Sequence, residues 1–417
     1  MKILVISKSG DGFGIAQKLQ EEGHTIRFYV KESGFDYVLN GILPQVHNWE
    51  PSARDWADFV ISDMVGFGKL ATKLAAMNVV YLGFNQIGDL MELDRGKQMQ
   101  LFTRFNIGIP ETEEFANPAQ GNSITDNWED PGYVIKPSGN LDTGKTYVIR
   151  DKDTFTWALE QYSGDQDLVV QKIVNGVEIS TEGWFDGIEW AEPFNHTIEL
   201  KRFMNDDVGP NTGCMGNVVW RAKNDKLVQN LKKLTPFLRH AEFRGPIDIN
   251  TIVNSSGIYA LELTTRFGYD AVEGLYESLS KKCFGDILLD LATKTNQNDP
   301  IQIPMRDGFT AVVRLTVPPY PFDKAKPSDR GLPVIGIPHN LESIYPADIY
   351  KNNGQFFWSG SDGVLCKVAA FNEDLDRAIE EAYARVNKIS AQGLQYRTDV
   401  GCTVRKSINL LKTWGYM

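Results

Sequence analysis

Over the first 95 residues, short apolar runs (KILVIS, TIRFYV, DFVISD, VVYLGF) alternate with amphipathic stretches such as GIAQKLQEEGH and GKLATKLAAMN. Runs of that length suit strands buried on both faces, and the stretches between them suit crossover helices. Residues 1–95 are therefore predicted to form a doubly wound parallel α/β domain. From 96 to 305 the pattern changes: YVIKPSG, TYVIR, DLVVQKIV and EISTEGWF follow one another across turn signals before helical segments return, which predicts an α+β unit. Beyond 306, GFTAVVRLTVPPYP and GVLCKVAAF bracket a loop rich in proline and glycine. NEDLDRAIEEAYARVNKIS then shows helical periodicity with Asn372 as its N-cap. Residues 306–417 are predicted to form a small third α+β domain.

Composition narrows the classes. A chain of 417 residues is too long for one compact core, and 42% hydrophobic against 23% charged residues predicts folded structure throughout. No apolar run approaches the ~20 residues of a membrane span, and the run in MKILVISKSGDG is too short for a signal peptide, so the expected location is the cytoplasm, without membrane attachment. The four cysteines lack CxxC or Cys/His spacing, which predicts free thiols rather than a disulfide scaffold or structural zinc. A formal net charge of -11 argues against extended nucleic-acid binding and points to small-molecule partners. Pattern alone leaves monomer and homodimer both open.

The first candidate site is SGDGFGIA. Gly10, Asp11 and Gly12 lie between the first strand and the first helix, where glycines let a backbone approach a phosphate. Glu32 stands about where a ribose-binding acid would follow in a dinucleotide-binding dehydrogenase, but GxGxG lacks the third glycine of that fingerprint, and a bare strand-to-helix turn is the alternative. In YVIKPSGNLDTGKTYVI, Lys136 ends a strand and a loop with Gly139, Gly144 and Lys145 follows. A lysine beside a flexible glycine loop can neutralise nucleotide phosphates while the loop closes, although a plain hairpin with surface lysines reads equally. In VVQKIVNGVEIS, the backbone of Gln171, Lys172, Ile173 and Val174 could read an adenine edge and Glu178 could bond ribose hydroxyls. GPIDINTIVNSSGIYALELTTRFGYD predicts a hairpin whose strands carry Asp248 and Glu262 among apolar neighbours. Two carboxylates on adjacent strands suit magnesium, and Arg266 beyond them could clamp a phosphoryl group. DDVGPNTGCMG, residues 206–216, is a loop too polar for core and too stiff for a linker.

In order, these segments resemble the ATP-grasp superfamily and, within it, the phosphoribosylamine–glycine ligase family, along nearly the whole chain. LDRGKQMQ matches a family segment with a nucleotide-contacting lysine, here Lys97. The strand lysine before the glycine loop is matched by Lys136, the adenine-reading hinge by Gln171 to Val174, the ribose acid by Glu178 and the metal pair by Asp248 and Glu262. GPNTGCMG is similar to the family's GPNTGGMG loop and ELTTRFGYD to its EFNxRFGDP, while DGVLCKVAAF and YRTDVG resemble its last domain. The resemblance implies an N-terminal domain ahead of the grasp (1–95), an ATP-grasp domain (96–305) with a nucleotide lid at about 118–182, and a C-terminal domain (306–417).

It also implies an ATP-dependent ligase using magnesium, or manganese in its place. ATP phosphorylates a small acid, glycine or another amino acid, and an amine attacks the acyl phosphate. Lys201, Asn211 and Arg266 take catalytic places in this reading. Glu199, Thr212, Gly213, Cys214, Met215 and Gly216 line the substrate side with Gly10, Asp11 and Gly12. Several positions depart from the family. Asp11 replaces an arginine of its GGREHA segment, SDMVGFG stands for its GPEAPL, and Glu199 and Leu200 replace the Asp-His of its DHKR. Cys214 replaces a glycine, and Thr264 replaces the asparagine that completes the metal set. The expectation is therefore a ligase with a changed amine acceptor. The alternatives are the ordinary phosphoribosylamine–glycine ligase, a catalytically silent nucleotide-binding regulator and, last, the dehydrogenase. Cys214 is expected to pack or set specificity rather than act as a nucleophile.

Overall fold

The computed structural model describes residues 1–138, 146–162, 164–295 and 299–417. Strands β1 (Lys2–Ser7), β2 (Thr25–Val30), β3 (Phe59–Ser62) and β4 (Val80–Leu82) form a parallel sheet in the order β2-β1-β3-β4. β1 is apolar without alternation because both of its faces are covered. Ile3 and Val5 pack with Phe13, Ile15 and Leu19 of the helix Phe13–Glu21, while Leu4 and Ile6 pack with Ala53, Phe67 and Leu74 on the other side. This is the doubly wound sheet that the first 95 residues predict.

A second, antiparallel sheet follows: β5 (Thr112–Phe115), β6 (Tyr133–Pro137), β7 (Tyr147–Ile149) and β8 (Leu168–Lys172), ordered β5-β8-β6-β7. Ile135, Ile149 and Val170 share a core there with Phe155 and Leu159 of the helix Lys152–Leu159.

The remaining strands are β9 (Val177–Asp186), β10 (Asn195–Arg202), β11 (Asn211–Arg221), β12 (Arg244–Asn254), β13 (Gly257–Thr264), β14 (Phe309–Thr316), β15 (Pro333–Val334), β16 (Ile344–Pro346), β17 (Ile349–Asn352), β18 (Gln355–Trp358) and β19 (Val364–Asn372). Eight form the central sheet, β13-β12-β9-β10-β11-β14-β19-β16, and β15-β18-β17 form a small third antiparallel sheet. The segment from 306 onward thus supplies β14, β19 and β16 to the same sheet as the middle region, because β14 pairs along β11. In the closing region the helix Leu375–Val386 is capped by Asp374, which accepts from the Arg377 amide; Asn372 instead bonds the Asp374 amide, so the expected cap lies two residues early.

Alternation gives the central sheet two unlike faces. Ile179, Ile198, Val218, Trp220, Val313 and Val368 join one core with Ala378, Ala382, Val404 and Leu411 of the C-terminal helices. The opposite face carries a polar row that crosses the strands by register: Thr264 lies opposite Asp248, Asp248 opposite Glu182, Glu199 opposite Asn217, and Arg314 opposite Lys367. That row runs under the first two sheets.

Candidate active site

In the second sheet, Lys136 near the end of β6 is buried and donates from Nζ to the Leu261 carbonyl oxygen of β13 at 3.2 Å, linking that sheet to the central one. Burial, with Arg95 beside it, pulls this ammonium down to about 8 against the opposing pull of Glu262. Glu262 accepts from Arg95 at 3.1 Å and Lys201 at 3.2 Å, and Lys201 holds it well below the usual carboxylate range against the effect of burial. Lys201 also lies 2.9 Å from Glu178 and 3.8 Å from Glu199. Burial lowers the Lys201 ammonium, but Glu178, Glu262 and Glu199 outweigh it and hold it well above its ordinary value. The structure thus places Lys136, Lys201, Glu178 and Glu262 near one another.

Other expected nucleotide residues are placed differently. Lys97 is half exposed and paired with Asp94 at 2.8 Å, while its helix neighbour Arg95 is the one that reaches Glu262. Gln171 turns its Nε2 to Thr112 Oγ1 at 3.1 Å, Lys172 pairs with Glu129, and the Ile173 amide donates to the Gly132 carbonyl at 2.8 Å. Val174 follows at the exit of β8. Gly139, Gly144 and Lys145 lie outside the described residues.

Asp248 and Glu262 occupy one face two positions out of register, since Asp248 faces Thr264 and Glu262 faces Asn250. Among the described residues no three His, Cys, Asp or Glu side chains group closely enough to hold a metal by themselves. Burial, reinforced by Glu199 and Glu182, pushes the Asp248 carboxyl well above its usual range against the opposing pull of Lys201 and a hydrogen bond with Ser180. Asn250, which the sequence reading passed over, donates Nδ2 to Glu178 at 2.8 Å, and its buried Oδ1 has no partner. A buried acid, a neighbouring Glu and an orphaned hard oxygen fit magnesium, which takes one or two carboxylates and completes its shell with water and phosphate oxygens. They do not form a closed structural site.

The stretch read as a loop, Asn211 to Gly216, opens strand β11, which corrects its secondary structure. The reason it reads as a loop survives. β10 pairs Arg202 with Asn211 and Leu200 with Gly216, so five steps on β11 oppose two on β10 and Thr212 to Met215 bulge opposite Lys201 alone. Thr212 Oγ1 anchors the bulge to the Lys201 carbonyl at 2.8 Å, whereas Asn211 and Gly213 stay exposed. Arg397, fully buried, bonds Asp399 at 2.8 and 2.6 Å, Asp207 at 2.5 Å and the Arg202 carbonyl at 3.1 Å, fixing the approach to the bulge from YRTDVG. Cys214 is buried, and burial, with Asp270, raises its thiol well above the ordinary value. Arg266 is held by Glu92 at 2.9 Å and lies 3.9 Å over the Tyr269 ring.

At the far end of the face is the first turn. A Cβ on Gly10 would come 2.9 Å from the Ala347 carbonyl, one on Gly12 2.9 Å from the Asp63 carboxylate, and one on Gly14 2.5 Å from Glu273 Oε1. Gly12 and Gly14 thus make room for carboxylates, and Gly10 for the Ala347 backbone. Asp11 accepts from Ser9 at 2.8 Å and lies 3.5 Å from Lys367.

A small antiparallel sheet set against the polar face of a large one, with Lys136 of the first reaching the Leu261 carbonyl beside Glu262, is the arrangement of the ATP-grasp class. Residues 97–271 match the family model of the phosphoribosylglycinamide synthetase ATP-grasp (A) domain, so the chain is an ATP-dependent ligase of the C–N-forming kind. Within that class its resemblance is to phosphoribosylamine–glycine ligase. It is 25% identical to that enzyme from Fusobacterium nucleatum, over 96% of this chain and 98% of the relative, and 26% identical to the one from Clostridium acetobutylicum, over 96% and 99%. The crystal structure of phosphoribosylamine–glycine ligase from Thermotoga maritima superposes with a TM-score of 0.74 at 18% identity, covering 96% of this chain and all of that one. No helix among the described residues is long and apolar enough to cross a membrane.

Proposed function

We propose that this chain uses ATP to convert a small amino acid, glycine in the first instance, to its acyl phosphate and passes the acyl group to phosphoribosylamine, releasing ADP and phosphate. The observation that carries this reading is alignment from end to end with curated phosphoribosylamine–glycine ligases. It supports the ordinary reaction better than the changed acceptor that the rewritten first turn leads one to expect. Gln171 to Val174 and Glu178 would receive the nucleoside, with Lys97, Lys136 and the Gly139, Gly144 and Lys145 loop on its phosphates. Asp248 and Glu262, with Asn250 or Thr264, would hold magnesium or manganese, which offsets charge on the phosphates. Lys201 and Arg266 would steady the transferring group, and the bulge Thr212 to Met215 with Asn211 and Gly216 would hold the acid. Gly10, Asp11, Gly12 and Glu199 would lie toward the amine.

A changed amine is the second reading, favoured by one observation: two cations beside the first turn, Lys367 and Arg314, are already bound to carboxylates. Incubation with magnesium ATP, glycine and phosphoribosylamine tests both. ADP and glycinamide ribonucleotide in equal amounts support the first. Glycine hydroxamate formed with hydroxylamine, but no ribonucleotide, moves the reading to another amine, and neither product from a panel of amino acids overturns the ligase.

A further inference from the structure

A cavity lies between the helix Phe13–Glu21, the turn at residues 41–42 and the closing region, which contributes residues 339–341, β17 and β18. None of the residues assigned above to the ligase reaction lines it. Its volume is about 240 Å³, against the ~10–15 Å³ that one water needs and the ~150 Å³ that takes a benzene ring. A single ring with a polar substituent at each end therefore fits.

The walls are fixed by hydrogen bonds from several elements. The Lys351 amide donates to the Asn40 carbonyl at 2.8 Å, and Gln17 Nε2 donates to Glu21 Oε1 at 3.1 Å and the Leu341 carbonyl at 3.2 Å. Leu341 is held at φ 56°, a left-handed conformation that a leucine keeps only where its surroundings impose it. Two groups of the lining remain unanswered. Gln17 is 5% exposed and commits its amide nitrogen to those bonds, yet its Oε1 has no partner. Lys351 Nζ stands 5.0 Å over the Phe356 ring, with no carboxylate in ion-pair contact among the described residues. The neighbouring acids are engaged elsewhere: Glu21 accepts from Gln17 and lies 3.9 Å from Lys18, and Glu342, outside the lining, is exposed and bonds Asn340 at 3.5 Å. Phe13, Ile42, Leu341 and Phe356 supply apolar wall, and exposed His339, Asn340 and Gln20 complete the lining.

We propose that this cavity is a binding site for a single-ring aromatic carboxylate, with its carboxylate on Lys351, its ring among the four apolar side chains and a hydroxyl or N–H at its far end donating to Gln17 Oε1. The site stands apart from the ligase reading and holds whichever amine that reaction uses. An anion is selected because the lining carries an unmatched cation and no unmatched acid, so a ligand ammonium would meet like charge at Lys351. The ring follows from two phenylalanines in the wall, against which an aromatic edge or face packs well. A flexible aliphatic acid of the same length would lose more rotational freedom on binding.

Titration calorimetry of the full chain with para-hydroxybenzoate tests the site, beside para-hydroxybenzylamine with the charge reversed, benzoate without the far donor and acetate without the ring. Para-hydroxybenzoate should bind most tightly and benzoate about tenfold more weakly, with no measurable binding of acetate or the amine at the same concentrations. Lys351→Met should weaken para-hydroxybenzoate at least about tenfold while glycine-dependent ADP release stays at the unaltered rate. Gln17→Leu should erase the difference between the two ring acids. An amine that binds as tightly as the acid, acetate matching benzoate, or an unchanged affinity in Lys351→Met overturns the proposal. So does para-hydroxybenzoate that gives neither heat nor a rise in melting temperature, and this arm decides even if a variant does not fold. Equal affinity of the two ring acids in the unaltered protein overturns the Gln17 contact. Saturating ATP and glycine should leave the affinity for para-hydroxybenzoate unmoved, and displacement by glycine would reassign the acid to the ligase site and sink the cavity. Absence of ADP release in every protein would count against the ligase reading alone, because binding is read without turnover.

Discussion

The two ends of the polar sheet face handle the same side chains in opposite ways. At the end proposed to take the nucleotide, Lys201 is a quarter exposed, Glu262 about a third and Glu178 two fifths, and the acids and bases form an open chain of pairs. At the first turn, Lys367, Asp270 and Glu273 are at most 1% exposed and the cations are enclosed by acids. A cation at a cleft can exchange a carboxylate for a phosphate with little change in its solvation. One enclosed by three carboxylates cannot, because the acids it leaves have no water to turn to. The first arrangement leaves its cations free to exchange a partner for an anion, and the second holds its cations in place.

Breaking the enclosed set should therefore cost stability first. Lys367→Met leaves Asp11, Asp270 and Glu273 short of their shared ammonium and should destabilise the fold by roughly 3–5 kcal/mol, read as a shift in the urea midpoint. Lys136→Met should do the reverse. Its ammonium is already disfavoured by burial, so the fold should hold, while ADP release should drop on the order of 10²–10³-fold. If Lys136→Met unfolds the protein and Lys367→Met leaves the urea midpoint unmoved, the contrast between the two ends is broken.

A finer test concerns which oxygen completes the metal set. The sequence reading names Thr264, while the structure offers the orphaned Asn250 Oδ1 directly across from Glu262. Asn250→Ala should raise the magnesium concentration needed for half-maximal ADP release about tenfold, whereas Thr264→Val should leave it near the unaltered value. The opposite ranking would return the role to Thr264.

Part of the candidate nucleotide side is legible in sequence: GPIDIN alternates with period two, which fixes the face of Asp248, and Glu178 and Glu262 join that face by register. The same alternation would have exposed Glu182 and Asn250, had position in the strand been weighed alongside charge. The cluster at the first turn is hidden for a different reason. Asp63, Glu273, Arg314 and Lys367 come from four elements up to 304 residues apart, and only register and packing bring them together. Asp11 alone reads as an acid displacing a phosphate contact. With Lys367 beside it, and Asp63 and Glu273 closing on the neighbouring glycines, it becomes one member of a set.

Cys214 stands at the junction of the two ends, sensing Asp270 on one side and Glu199 on the other. Both acids, together with burial, disfavour a thiolate, so the sulfur is a poor nucleophile at neutral pH. Its remaining contacts are weak: Sγ lies 3.5 Å from the Gly216 carbonyl, and Asn217 Nδ2 lies 3.7 Å from the sulfur. Cys214→Ala should then cost about 1 kcal/mol of stability, the removal of one buried atom and two soft contacts, and leave turnover near that of the unaltered enzyme. The native thiol should also resist iodoacetamide until the protein is unfolded. Loss of turnover with an unmoved urea midpoint would make the thiol part of the chemistry and join the two ends through a reactive group. Retained turnover would leave the bulge as a backbone device, with the cysteine filling the space beneath it.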